Sequence, residues 1–117
     1  MTSGQQEKRI FRMQAEILKA LAHPVRLEVL HLLGRREVPF GELQLALGIT
    51  KANLSQHLAV LRKARIVTDR RRGVNALYRL AYPEIEEACY GVGQALARQM
   101  RQVGREASAL LRRTAGR

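Results

Sequence analysis

Hydrogen-bonding and cationic side chains recur between residues 51 and 63, alongside apolar residues spaced as on a helix. Leu54, Leu58 and Leu61 lie four and three residues apart, which predicts a buried stripe. The opposite face carries Lys51, Ser55, Gln56, Arg62 and Lys63. Ser can bond several base edges and Gln can pair with adenine through two hydrogen bonds, whereas Lys and Arg suit phosphate oxygens. These residue types favour contact with DNA.

Positive charge is concentrated in the same quarter of the chain. The 117 residues include 21 Lys and Arg against 10 Asp and Glu, a net charge of +11. Residues 51–79 hold eight bases and one acid, Asp69, and so supply seven of those charges. Three consecutive arginines, 70–72, precede Gly73, and a polyanionic partner would offset their repulsion. Nucleic acid is the first candidate for that partner, and an anionic membrane surface is the second.

These side chains need a framework, which the rest of the sequence predicts. We expect helices over residues 7–22, 24–35, about 40–47, 51–64 and 83–110, and a β-hairpin over 66–80. Pro24 suits the first turn of the second helix, while Gly48 and Thr50 suit a tight turn and an N-cap. Residues 40–64 therefore predict a helix-turn-helix, and the hairpin predicts a wing. The expected fold is mainly α with a small β-hairpin, a winged helix-turn-helix of order α-α-α-α-β-β-α.

The last predicted helix carries a long apolar stripe. Its members recur every three or four residues: Ile85, Cys89, Val92, Leu96, Met100, Val103, Ala107 and Leu110. A single small domain, residues 1–117, would cover this stripe only in part, so we expect a homodimer that forms through the first and last helices. The alternative is that the last helix folds back on its own domain.

Composition also argues against several other classes of protein. Hydrophobic residues make up 46% of the chain, with five Phe and Tyr and no Trp, so aliphatic side chains must form the core. Met1 to Glu7 lacks the apolar stretch of a signal peptide, and no apolar run approaches the roughly 20 residues of a membrane span. We therefore expect a cytoplasmic protein with no membrane partner. A glycine-rich phosphate loop and a nucleophile with a convincing base are missing, which argues against an enzyme.

Several segments, in this order of elements, resemble the ArsR/SmtB family of bacterial repressors. The matching strings are LKALAHPVRL at 18–27, GEL at 41–43, LG at 47–48, NLSQHLAVL at 53–61 and YRL at 78–80. The resemblance covers about residues 15–83 and is specific when these strings are taken together. Gln44 departs from it, because helix-turn-helix motifs usually carry a small residue at that position.

The resemblance implies a homodimer on double-stranded DNA that contains an inverted repeat, released when an effector binds. The candidate DNA-binding residues are Thr50, Lys51, Asn53, Ser55, Gln56, His57, Arg62, Lys63, Arg70, Arg71, Arg72 and Asn75. The alternatives are a sequence-independent architectural DNA-binding protein and a winged helix that binds another protein. An ordinary helical hairpin with a solvated face would also fit residues 40–61 alone, but the basic hairpin after it favours DNA.

The effector is left open. Family members that sense arsenic, cadmium or lead often carry a Cys-x-Cys near the helix before the turn, where this chain has EVPF at 37–40. Members that sense zinc or cobalt use His on the last helix, and this chain has no His after His57. No cofactor is expected to be required. A metal effector of unknown identity would have to use His23 or His31, each of which also has an ordinary structural explanation.

Cys89 is the single cysteine, so a disulfide within one chain is excluded. On the inward stripe of the last helix it can be a small apolar filler. It is also a candidate redox residue, because a thiol in the first turns of a helix can have a lowered pKa. In that role it would need its counterpart in a second chain or a thiol-reactive compound.

Overall fold

The computed structural model describes residues 2–115, which form five helices and three strands. In chain order these are α1 (Ser3–Leu21), α2 (Pro24–Leu33), β1 (Val38–Pro39), α3 (Phe40–Leu47), α4 (Lys51–Lys63), β2 (Val67–Arg72), β3 (Asn75–Leu80) and α5 (Pro83–Ala115). The chain divides into two units. The first ends at Glu86 and the second, from Glu87, continues α5. The mainly α fold with a wing is confirmed.

The core lies in the first unit and is almost entirely aliphatic. Its buried members are Leu21, Val29, Leu30, Leu33, Val38, Leu43, Leu54, Leu58, Leu61, Ile66, Val67, Tyr78 and Leu80. α2, α3 and α4 each contribute, so burial of these side chains holds the three helices together. α2 is buried on one side only, since Leu27 is 44% exposed.

The helix ends differ from the predicted ones for local reasons. α1 begins at Ser3 rather than 7, because Thr2 and Gln5 form a reciprocal capping box, a pair that satisfies two free backbone donors. α2 ends at Leu33 rather than 35, because Gly34 has a φ of 54°, outside the helical region. α5 continues beyond 110 to Ala115.

The sheet has three strands, not two. It is antiparallel in the order β1-β3-β2, and the short strand β1 (Val38–Pro39) pairs with β3 as Val38 with Tyr78. Two residues are too short to show an alternating pattern, which is why β1 was missed. Pro39 lies on an edge strand, where a residue without a backbone N–H is tolerated.

Candidate nucleic-acid interface

The turn between α3 and α4 fixes the direction of α4. Gly48 ends α3 with a φ of 64°, a left-handed conformation that favours glycine. Thr50 then caps α4, and its Oγ1 accepts a hydrogen bond from the backbone N–H of Asn53 at 3.1 Å. Gln44 donates from Nε2 to the carbonyl oxygen of Ile49 at 3.3 Å. The residue that departs from the family pattern therefore braces this turn.

α4 presents two different sides. Leu54, Leu58 and Leu61 are buried, as their spacing predicted. The candidate residues that are exposed on this helix are Lys51, Asn53, Ser55, Gln56, Arg62 and Lys63, and Thr50 at its cap is exposed as well. Arg62 Nη1 lies 3.5 Å from Asp69 Oδ2 on β2, so its charge is partly offset within the chain.

A cleft opens between α4 and the wing formed by β2 and β3. Four candidate residues line it, Lys51 and Ser55 from α4 and Arg71 and Asn75 from the wing, beside Tyr78. Its volume is about 340 Å³. The structure thus brings together groups from two elements that are separate in the sequence, and it gives them the mixture of hydroxyl, amide and cation that binds base edges and phosphates.

The three arginines of the wing do not share one face. Side chains alternate along a strand. Arg71 pairs in register with Ala76, which lines the cleft, whereas Arg70 pairs with Leu77, which does not, and Arg72 lies two residues from Arg70 on the same strand. Arg71 therefore faces the cleft, while Arg70 and Arg72 belong to the other face. We call that other face the back of the wing.

At the back of the wing, Arg70 is neutralised by an acid that sequence reasoning missed. Its Nε lies 2.6 Å from Glu37 Oε2 and its Nη2 lies 2.7 Å from Oε1, a two-point pair of the geometry that favours Arg. The hydrogen bond from Arg70 lowers the pKa of Glu37 below its ordinary value, and the charges of Arg79 and Arg72 lower it further. Glu37 is 33 residues away in sequence, so no local signal marked it.

His57 lies on the inner side of α4. Its ring centroid is 4.4 Å from that of His23, and His23 Nδ1 accepts the N–H of Val25 as the N-cap of α2. Burial lowers the pKa of His57, and the charges of His23 and Arg26 lower it further. The ring packs between α2 and α4, and its contact with DNA stays a prediction.

The candidate metal ligands form no cluster among the described residues. His31 is exposed on α2, and within residues 2–115 there is no group of three His, Cys, Asp or Glu side chains that could hold a metal ion. Cys89 lies on α5 in the second unit and is partly exposed. No helix in this described range is long and apolar enough to cross a membrane.

Proteins of known sequence share this framework. Residues 21–70 match the family described as "Helix-turn-helix domain". Rv0081 of Mycobacterium tuberculosis, an uncharacterized HTH-type transcriptional regulator, is 41% identical over 90 residues, which are 76% of this chain and 79% of that one. The biofilm growth-associated repressor of Xylella fastidiosa is 44% identical over 80 residues, 68% of this chain and 69% of that one.

Solved structures agree with the sequence matches. The crystal structure of Rv0081 covers 80% of this chain and 94% of its own, with a TM-score of 0.70 and 39% identity. The solution structure of Mb0332 from Mycobacterium bovis is described as a homodimeric winged helix-turn-helix DNA-binding domain of a possible ArsR-family regulator. It covers 86% of this chain and 90% of its own, with a TM-score of 0.68 and 26% identity. The chain belongs to the ArsR/SmtB family of winged helix-turn-helix transcriptional regulators.

Proposed function

We propose that this chain is a sequence-specific transcriptional repressor that binds double-stranded DNA as a homodimer. The observation that carries the proposal is the cleft in which Lys51 and Ser55 of α4 meet Arg71 and Asn75 of the wing. A helix whose outer face is slim and polar can enter the major groove, while a basic wing reaches the neighbouring backbone. Gln56, exposed beside Ser55, completes the base-reading pair.

The remaining cations take the role of phosphate ligands in this proposal. Lys63 is exposed at the end of α4, and Arg72 is exposed next to the tip of the wing. Thr50 and Asn53 lie at the N-terminus of α4, where exposed polar groups meet the backbone of the groove. Arg62 and Arg70 contribute less, because Asp69 and Glu37 already pair with them.

The homodimer is supported by apolar side chains that one chain leaves exposed. Phe11 on α1 is 68% exposed and Leu96 on α5 is 54% exposed, and each has apolar neighbours on its own helix. Exposed patches of this kind mark protein interfaces. A two-fold dimer presents two copies of α4, so the DNA site would be an inverted repeat with half-sites about 34 Å apart, or a multiple of that distance.

Release by an effector and a cytoplasmic location are also proposed, since relatives include named repressors. We propose a regulator and not an enzyme. A metal effector finds no support at His23, because its Nδ1 accepts a backbone hydrogen bond and its ring packs against His57. Cys89, partly exposed on α5, stays a candidate redox residue, which would need its counterpart in a second chain or a thiol-reactive compound.

Selection of genomic DNA fragments bound by the purified protein tests this function. We expect enrichment of a few fragments that share an inverted repeat, and binding that survives an excess of random DNA. Gln56→Ala should lose the enrichment but keep binding to random DNA. Equal binding to all fragments would support the architectural alternative, which the net charge of +11 favours, and would contradict a sequence-specific repressor.

A further inference from the structure

The wing leaves the body of the first unit at one register pair of its hairpin. Val67 of β2 is buried, but the residues that follow it on this strand are exposed. Tyr78 is the buried residue of β3 that lies closest to the turn, and it pairs in register with Asp69. Residues 70–75 beyond this pair are all exposed. We call Asp69 and Tyr78 the wing root, because the hairpin projects from the body at this point.

Each half of the wing root contacts a different helix of the helix-turn-helix. The ring centroid of Tyr78 lies 6.4 Å from that of Phe40 at the start of α3, with an angle of 49° between the ring planes. Asp69 Oδ2 lies 3.5 Å from Arg62 Nη1 in the last turn of α4. An aromatic contact therefore joins β3 to α3, and an ion pair joins β2 to α4.

The charged groups at the wing root act on one another. Burial raises the pKa of Tyr78, and the charge of Asp69 raises it further. The charges of Arg62 and Arg71 lower the same pKa. The Asp69 side chain is 29% exposed, about half the 56% exposure of Arg62. The carboxylate of Asp69 therefore lies between α4 and the wing, where water screens it less than it screens the arginine.

The charge of Asp69 by itself opposes DNA binding. Asp69 is the single acid of residues 51–79, which hold eight bases. Arg71 lies two residues further along β2 and so shares the face of Asp69. A carboxylate on this face repels the phosphates that Arg71 would bind. Any favourable effect of Asp69 on DNA binding must therefore come from its contact with Arg62.

Small movements at the wing root become larger at the tip of the wing. Gly73 follows Asp69 by four residues, which is about 13 Å along a strand. A tilt of about 10° at the root would therefore move the tip by about 2 Å, whereas binding groups must be held to within about 0.5 Å. The ion pair opposes such a tilt, because it joins β2 to the last turn of α4.

We propose that Asp69 is a positioning residue, which acts through Arg62 to fix the angle between α4 and the wing so that both contact one DNA half-site. Arg62 then holds the wing in place and is not itself a phosphate ligand. The effect on DNA rests on the proposed repressor function, whereas the effect on the free protein does not.

Asp69→Asn separates positioning from charge. It adds one positive charge per chain, so a purely electrostatic role predicts tighter binding to every DNA sequence. We expect instead that affinity for the selected genomic fragment falls at least fivefold, while affinity for random DNA is kept or rises. Glu106→Gln makes the same change of charge at an exposed acid of the second unit, and it should not weaken binding to the fragment. Unchanged or tighter binding of Asp69→Asn to the fragment would overturn the proposal.

A double-mutant cycle assigns the effect to the pair. Arg62→Gln and Asp69→Asn each break the same contact, so the double variant Arg62→Gln/Asp69→Asn should bind the fragment no more weakly than the weaker single variant. The double variant also has the net charge of the wild type. Fluorescence anisotropy with labelled fragment measures all four proteins. Losses that multiply in the double variant would show two independent roles and would contradict the proposal.

Nuclear magnetic relaxation of the free protein tests the positioning step without DNA. Backbone order parameters of residues 70–76 should fall in Asp69→Asn, while the thermal midpoint should change little, because exposed ion pairs contribute little to stability. Unchanged order parameters would contradict the positioning role. A wild type that binds all fragments equally, with order parameters that fall in Asp69→Asn, would contradict the repressor function and leave the positioning role standing.

Discussion

The two faces of the wing are built from the same run of arginines but differ in the acids that lie near them. On the cleft face, Arg71 lies near Lys51 and Ser55, and the part of the chain that the structure describes places no acid in the lining of that cleft. On the back, Arg70 is held by both oxygens of Glu37. One residue of strand alternation separates the two arrangements.

This difference shows that a count of basic residues overstates the charge available to DNA. Glu37 pairs with Arg70 on the face turned away from α4, whereas none of the described residues that line the cleft beside Arg71 is an acid. Repulsion within the arginine run is thereby reduced without loss of positive charge in the cleft.

The largest expected effect comes from removing the charge of the cleft. The double variant Lys51→Ala/Arg71→Ala should weaken binding to every DNA sequence. It should flatten the slope of log K against log salt by about 3 to 4 if each chain of a dimer loses two phosphate contacts. Fluorescence anisotropy with labelled DNA over a series of salt concentrations measures this.

The matched control removes the same charge from the back of the wing. The double variant Arg70→Ala/Arg79→Ala removes two of the cations that line the cavity beside Glu37. We expect it to change the slope far less than the cleft variant does. If the two double variants flatten the slope equally, both faces of the wing contribute equally to DNA binding, which contradicts the difference inferred between them.

A second substitution separates base reading from charge on the cleft side. Gln56→Ala leaves the net charge unchanged, so binding to random DNA should keep its affinity and salt slope. Affinity for the selected fragment should fall by the equivalent of about 1–3 kcal/mol, the usual discrimination of a two-point contact with a base. Competition of specific against random DNA measures this ratio. An equal loss of affinity for both DNAs would mean that Gln56 stabilises α4 and does not read a base.

Much of this arrangement is local in origin and was therefore readable in the sequence. Gly48 and Thr50 define the turn and cap before α4, and the spacing of Leu54, Leu58 and Leu61 defines its buried side. The hairpin followed from β-prone residues around Gly73, whose φ of 64° fits a tight turn. Patterns of this kind depend on neighbours in sequence.

The rest depends on contacts between distant segments, which a single sequence does not encode visibly. Glu37 meets Arg70 only because β1 pairs with β3. His57 follows Gln56 in the sequence, yet the turn of the helix directs it toward His23. Membership in a basic stretch or a family string could not separate such residues from those that face the cleft.

A smaller effect is expected from releasing Arg70. Glu37→Gln removes the acid and frees one cation per chain, so DNA affinity at low salt should rise and the slope should steepen by at most about 0.9 per chain. Glu106→Gln, which alters an exposed acid of the second unit, controls for net charge. An unchanged affinity in Glu37→Gln, or an equal rise in Glu106→Gln, would show that the ion pair with Glu37 does not limit the contribution of Arg70 to DNA affinity.

The smallest effect is the pH dependence of stability that the same pair produces. The folded pKa of Glu37 lies below its ordinary value of 4.5, so the unfolded chain takes up this proton first as the pH falls. The contribution of the pair is therefore fully present above about pH 4.5 and is lost as the pH falls through the lower, folded value.

Urea unfolding of the wild type and of Glu37→Gln at pH 7, and at steps below 4.5, should give free energies of unfolding that converge in acid. The difference at pH 7 should be small and should shrink in high salt, because the pair is exposed and screened. A difference that is the same at every pH would mean that the glutamine disturbs packing near β1 and that the ion pair itself contributes nothing.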